Sequence, residues 1–364
     1  MTITHVDIYR FSIPMEPFVI ATGTINYAQN VFIRVHTNQG IYGVGECSAF
    51  PMIVGETQET CITIAKDFAH FWKGKDALDR VARLQEINFY AGNTTIKSAF
   101  DMALYDIAAK AENKPLYEYL GGAKRLAETD ITIGIGAPGA MAAQALQWQD
   151  KGATILKIKL GKNVMEDLER VTLIRQVVKP GMKIRLDANQ GWNFDEALYI
   201  LQAMKDLNIE FCEQPMRTWY DDKLPDLCRQ SPIPIMADES CYNHHDARIL
   251  IQSQSCHSIN IKLAKSGGIS EAIKINEVAQ QAGVPCMIGG MLESRLASAA
   301  FLHFAYATPN VKYFDLDTCM LGHLQDPITG GIMYNGFMVD IPATTGIGAD
   351  VDEHYLADCD CWSI

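Results

Sequence analysis

Charged residues recur where short apolar runs end. Lys157-Ile158-Lys159 closes ATILKIKL, Asp187 closes KIRLDAN, Glu213 follows IEFC and Asp238 follows PIPIMA. Lys262 ends HSINIK, Glu293 comes after VPCMIGG, and Asp315-Leu316-Asp317 ends VKYFDLD. From Asp187 to Glu213, Asp238 and Lys262 the steps are 26, 25 and 24 residues. That is about one strand-plus-helix unit each, so the groups should meet at one end of a sheet. A lone Asp at a strand end is commonly a helix N-cap, and that reading suits Asp187 taken singly. Three carboxylates from adjacent strands, however, raise one another's pKa unless a cation joins them. Carboxylate oxygens suit Mg2+, whereas Zn2+ would recruit His or Cys, and none of the nine histidines falls at these strand ends. Asp187, Glu213 and Asp238 are therefore the expected metal ligands. Two lysines in a strand often mark a solvated face, but Lys159 and Lys262 sit in otherwise apolar runs, where unpaired burial is costly.

The elements that must position these groups follow from the hydrophobic rhythm. After about Arg125, eight strand candidates alternate with helical stretches, among them Met165–Val178, Asp195–Leu207, Asp246–Gln252, Ile269–Gln281 and Ser294–Thr308. Continuously apolar strands separated by helices imply a parallel sheet covered on both faces, and eight such units imply a closed (β/α) barrel. A doubly wound open sheet is the alternative, but no G-x-G-x-x-G follows a strand. In an eight-stranded ring, Lys159 on strand two and Lys262 on strand six are diametrically opposed. A ligand held between them meets one amine on each face, which suits removing a proton from a carbon and returning it on the other side.

Residues 1–47 read as three strands with an Asn38-Gln39-Gly40 turn, and Glu56 to Leu120 turns helical. The expected organisation is an α+β capping domain (1–125), a barrel of the modified TIM type (126–325) and a C-terminal segment (326–364) that returns to the cap or closes the barrel. Net charge is −12 from 31 basic and 43 acidic residues, which disfavours nucleic acid or an anionic membrane as partner. No apolar run approaches the roughly 20 residues of a membrane helix, and the start lacks a signal-peptide pattern. The ten cysteines are mostly isolated within apolar stretches, as for reduced thiols. A cytoplasmic protein is the expectation, with homo-oligomerisation left open.

The K-x-K of KIKLG, DANQGW at Asp187, EQP at Glu213, ADES at Asp238 and NIK at Lys262 together resemble the enolase superfamily, in its muconate lactonizing enzyme subgroup. The acidic pair Asp315-x-Asp317 makes the chain most similar to the dipeptide epimerases. The resemblance covers essentially the whole chain. It implies Mg2+ on Asp187, Glu213 and Asp238, an acid/base pair of Lys159 and Lys262, and Lys157 beside the substrate carboxylate. It further implies that Asp315 and Asp317 hold the α-ammonium of a dipeptide, that Thr132, Gly290, Met291 and Leu292 touch substrate, and that Glu293 hydrogen-bonds Lys262. In one respect the chain departs from the Ala-Glu epimerases: the position of their glutamate-clamping Arg is Gly23, and no Arg or Lys lies between Arg10 and Arg34. The expected substrate is an Ala-X dipeptide with apolar X. N-acylamino acid racemases, cycloisomerases and o-succinylbenzoate synthases lack a substrate ammonium, so the acidic pair disfavours them. A metal-dependent hydrolase or a dipeptide-binding protein would not need two opposed lysines.

Overall fold

The computed structural model describes residues 1–21 and 23–364. Its cap is an antiparallel sheet of Ile3–Ile20, Gly23–Thr37 and Tyr42–Ser48, with Cys361–Ser363 added beside the first strand. The first two strands outrun the expected alternation, pairing Phe18 with Ile25 and Ile20 with Gly23. Pro14 and Pro17 hide this from the sequence. Each lacks an N–H, and the ladder loses register between Pro14 and Phe18. Helix Thr94–Ala111 packs directly on Tyr42–Ser48. The approach needs glycine: a Cβ at Gly43 or Gly45 would lie about 2 Å from a helix carbonyl, that of Ala103 or Ala99.

The second body is a ring of eight parallel strands in chain order: Ile131–Ile133, Ile155–Lys159, Lys183–Asp187, Ile209–Glu213, Ile235–Ala237, Ser258–Ile261, Cys286–Gly289 and Val311–Asp315. Helices follow the first seven; the eighth is followed only by the turn Thr318–Met320. First and last strands meet without a regular ladder. Asp130 N–H donates to the Phe314 carbonyl (3.2 Å), Leu316 N–H to Thr129 Oγ1 (2.8 Å) and Thr132 N–H to Asp317 Oδ2 (2.6 Å). At the bottom, Phe211, Met236, Met287 and Tyr313 form a small apolar plug. Because strand side chains repeat every two residues, Glu213, Asp238 and Asp315 lie two positions above three of these.

Buried carboxylates of the cap hold the barrel helices. Glu46 accepts from the N–H and hydroxyl of Ser294 (2.8 and 2.6 Å) at the start of helix Arg295–Ala307. Asp101 does the same for Ser270 (2.9 and 2.8 Å) at the start of Ile269–Gln281. Each supplies negative charge where helix N–H groups lack partners. The cap is thereby fixed over the strand ends.

Candidate active site

The strand ends place their charged groups together and out of water. Lys157 Nζ lies 2.7 Å from Asp315, 2.7 Å from Glu213 and 3.1 Å from Asp187. Lys159 Nζ is 2.6 Å from Asp187, and Lys262 Nζ is 2.9 Å from Asp238. All are buried. Lys159 ends the second strand of the ring, and Lys262 directly follows the sixth. Lys157 and Asp315, expected to meet opposite ends of a substrate, pair with each other.

Below this layer, Arg185 rests over the rings of Phe211 and Tyr313, its guanidinium 5.3 and 5.2 Å from their centroids. It pairs with Asp130 (2.8 Å) and Glu210 (2.7 Å). Asn260 donates to Glu213 (2.7 Å), and Lys265 lies 2.6 Å from the Asp238 carboxylate. These residues escaped the sequence reading, though a signal existed for three of them. Asp130, Arg185 and Asn260 each stand two positions before Thr132, Asp187 and Lys262, on the same strand face. Lys265 lies on the short helix Leu263–Ser266 and gave no such sign.

Crowding separates the acidities of like groups. Burial pushes Asp187 up, but Lys159, Lys157 and Lys262 outweigh it and hold the carboxyl at about 2. Burial and the nearby Asp187 raise Glu213 to about 7 despite Lys157. Asp238 is buried too, yet Lys262 and Lys265 draw it below the usual carboxylate range. Desolvation disfavours the Lys262 ammonium, while Asp238 and Glu213 more than compensate, leaving it above an ordinary lysine. On strand eight, burial and Asp315 lift Asp317 to about 7, while Lys157 overcomes burial to lower Asp315. The two acids of that pair thus differ in proton affinity.

The residues fit a hard divalent cation. Glu213 Oε2, Asp238 Oδ2 and the neighbouring Glu239 Oε2 are buried oxygens without a hydrogen-bond donor; the first two meet lysine ammoniums only as charge contacts. An all-oxygen donor set with spare lone pairs is what Mg2+ takes. Among the described residues, the one buried trio of acids with oxygens within 4.8 Å of one another is Asp130, Asp315 and Asp317. Arg185 and Lys157 already bring positive charge there.

Glu293 does not make the hydrogen bond expected with Lys262. Its Oε2 accepts the Met291 N–H, closing its own loop, because that N–H lies only two positions back along the chain. The loop is also tied to the cap: Asn30 donates to the Leu292 carbonyl (3.0 Å), and Leu292 N–H donates to Ser48 Oγ (3.3 Å). Gly290 has no room to spare, since a Cβ there would lie 3.1 Å from Glu293. Thr132 sits on the first strand with its N–H on Asp317.

Cap segments reach the barrel mouth from two sides. Tyr242, just beyond Asp238, donates to the Ile53 carbonyl (2.7 Å). Ile135 N–H, past the first barrel strand, donates to the Val19 carbonyl (3.0 Å), and Glu16 N–H to the Gly322 carbonyl (2.9 Å). Phe18, Ile20, Ile25, Phe50, Met52, Ile53 and Val54 are buried or half-buried there. At Gly23 a Cβ would meet the Met52 sulfur at 2.9 Å, the far end of a flexible side chain.

Residues 3–121 match the mandelate racemase / muconate lactonizing enzyme N-terminal domain, and residues 140–355 the enolase C-terminal domain-like family. The chain is 41% identical to a D-Ala-D/L-Ala epimerase of Cytophaga hutchinsonii over 98% of both chains. It is 37% identical to an L-Ala-D/L-Glu epimerase of Bacillus subtilis over 96% of both. The crystal structure of the Cytophaga hutchinsonii dipeptide epimerase, complexed with Mg and D-Ala-L-Val, superposes with a TM-score of 0.98 at 40% identity, covering all of both chains. With both domains matched and full-length relatives at this identity, the chain belongs to the enolase superfamily, in the family of mandelate racemase and muconate lactonizing enzyme.

Proposed function

We propose that the chain is a Mg2+-dependent dipeptide epimerase that inverts the α-carbon of the C-terminal residue, acting on Ala-X dipeptides with apolar X. The observation that carries this reading is the buried mouth itself: two lysines on opposed strands, three carboxylates beside them, and an acidic pair on strand eight. Mg2+ on Asp187, Glu213 and Asp238 would supply Lewis-acid stabilisation of the charge that builds on the substrate carboxylate as the α-proton leaves. Lys159 and Lys262 stand on either side of that carbon; one takes the proton and the other delivers one to the opposite face. The base must be neutral, and the carboxylates that now hold the Lys262 proton are those the cation would neutralise.

The Lys157–Asp315 pair explains why a zwitterion fits. A dipeptide brings one carboxylate and one ammonium, so Lys157 and Asp315 exchange an internal pair for two external ones without leaving a buried charge unpaired. An acyl amino acid would leave Asp315 and Asp317 without a cation, which is the physical case against the racemase and cycloisomerase readings. The side chain of X would face Ile25, Met52, Ile53 and Val54. A glutamate there would lose water without gaining a charge partner. The resemblance to an enzyme crystallised with D-Ala-L-Val supports a small N-terminal residue and an apolar second one.

A dipeptide library incubated in deuterated water with Mg2+ tests the reading. One deuteron should appear at the C-terminal α-carbon of Ala-Val, Ala-Leu or Ala-Ala, with both epimers formed. Release of free amino acids would indicate a hydrolase, and binding without exchange a carrier protein.

A further inference from the structure

Two buried charges beside the barrel mouth, Asp167 and Arg170, take no part in the chemistry above. Both lie in the first two turns of helix Val164–Val177, which follows the strand ending in Lys159. An acid at the start of a helix commonly caps it. Asn163 already fills that role, accepting the N–H groups of Met165 and Glu166 (both 3.1 Å). The Asp167 carboxylate has other partners. Its Oδ2 accepts the Gly161 N–H (2.9 Å) and the Trp192 indole N–H (3.0 Å). Its Oδ1 accepts from the Arg170 guanidinium (2.7 Å), which also donates to the Gly136 carbonyl (2.9 Å).

These bonds join three loops. Gly136 follows the first barrel strand, Gly161 lies two residues past Lys159, and Trp192 five past Asp187. The second and third loops interlock where they meet. A Cβ at Gly161 would lie 2.3 Å from the Ala188 carbonyl, and one at Gly191 2.3 Å from the Gly161 backbone. Gly161 has φ +103°, and Asn189 and Gln190 hold φ of 40° and 65° without being glycine. Backbone of that kind persists only where its surroundings over-determine it. Asp167 supplies the one acceptor that both loops share, and losing a buried charged acceptor leaves its donors unsatisfied. Among the described residues, the partners of this carboxylate and of Arg170 lie on their own helix or on the loops after strands one to three. The Lys262 side has a separate tie: Lys265 pairs with Asp238 (2.6 Å) and donates to the Asn260 carbonyl (3.2 Å).

We propose that Asp167 is a positioning residue for Lys159 and not for Lys262: it fixes the turn that follows Lys159 and so aims one of the two amines. The inference rests on the two-base reading above. It adds that the two faces of the substrate are served by separately supported halves of the barrel mouth, so that one half can be loosened while the other keeps working.

The test compares the two faces. Asp167→Asn keeps the volume but offers one acceptor oxygen in place of two, so either Gly161 and Trp192 or Arg170 lose theirs. Loss of the α-proton in deuterated water is followed by NMR, starting separately from each C-terminal epimer of the dipeptide that the unaltered protein exchanges fastest. Saturating Mg2+ keeps any weaker metal binding through Asp187 out of the comparison, and Lys159→Ala and Lys262→Ala identify which epimer each lysine serves. In Asp167→Asn, exchange of the epimer served by Lys159 should fall about tenfold or more, because misplacing a reacting group by about 1 Å can cost about a hundredfold. Exchange of the other epimer should stay within about twofold. Trp192→Phe, which removes one donor from the same oxygen, should shift the ratio of the two rates in the same direction by a smaller factor, and it carries the comparison if Asp167→Asn does not fold. An equal loss for both epimers, as from a general loosening of the fold, or no loss in either variant would overturn the proposal. Exchange of neither epimer by the unaltered protein would instead defeat the epimerase reading, and this inference with it.

Discussion

The barrel mouth and the cap segments over it are built from opposite materials. At the mouth, lysines and carboxylates lie within 3.1 Å of one another at full burial, so each group's charge depends on its neighbours. At the cap, Ile25, Phe50, Met52, Ile53 and Val54 offer no charge, and the hydrogen bonds these rim segments make with the barrel include ones to the backbone carbonyls of Ile53 and Val19. A charged, coupled site cannot change one member without disturbing the rest. An apolar rim can exchange side chains at the cost of packing alone. On the proposed function, chemistry and ammonium recognition belong to the strand ends and the choice of X to the cap loops, so that the two can vary separately.

The sharpest way to break that division is at the lysines. Lys159→Ala and Lys262→Ala should each lower epimerisation by roughly a thousandfold or more, measured by optical rotation with Ala-Val. Glu213→Gln, which removes charge and little volume, should weaken Mg2+ binding in calorimetry and lower turnover on the order of a hundredfold; full activity in excess chelator would show the metal assignment to be wrong.

A third expectation concerns the joint between the two regions. Buried His303 accepts the Tyr117 N–H at Nδ1 (3.0 Å) and bonds the Ile347 carbonyl through Nε2 (3.0 Å). This tautomer is neutral, and burial lowers its pKa to about 4 from an ordinary 6.5. The unfolded chain thus binds a proton that the folded one refuses between those values. The contribution, roughly 3 kcal/mol, is complete above pH 6.5 and is lost as pH falls towards 4. Urea titrations across that window should show a flatter pH dependence for His303→Gln than for the unaltered protein.

The smallest effect lies at the rim. Gly23→Arg should shift the ratio of kcat/KM for Ala-Glu over Ala-Val upward by about tenfold, with Met52 moving aside and turnover of Ala-Val falling little. A collapse of both activities would mean that the rim and the chemistry are not separable.

How much of this was legible follows from what each feature depends on. Asp187, Glu213, Asp238 and Lys262 could be read because an apolar run ending in a charge is a local pattern, repeated at nearly equal steps. The eight-stranded ring follows from the same repetition. Lys157 and Asp315 could be named but not paired, because 158 residues separate them and only the closed ring brings them to 2.7 Å. Glu46 and Asp101 gave no sign of capping barrel helices, since their partners lie 248 and 169 residues away. Pro14 and Pro17 concealed the long hairpin that carries the rim. The resemblance puts Glu293 on Lys262, while its own loop offers a closer donor in the Met291 N–H.

The central claim is that opposed lysines each serve one face of the same carbon. The most direct measurement is α-proton exchange in deuterated water by Lys159→Ala and Lys262→Ala, each given the L- and D-configured C-terminal residue of Ala-Val separately, followed by NMR. Each variant should exchange at most one epimer, and the two should differ in which. Exchange of both epimers by either variant would contradict the account, because a single base would then reach both faces.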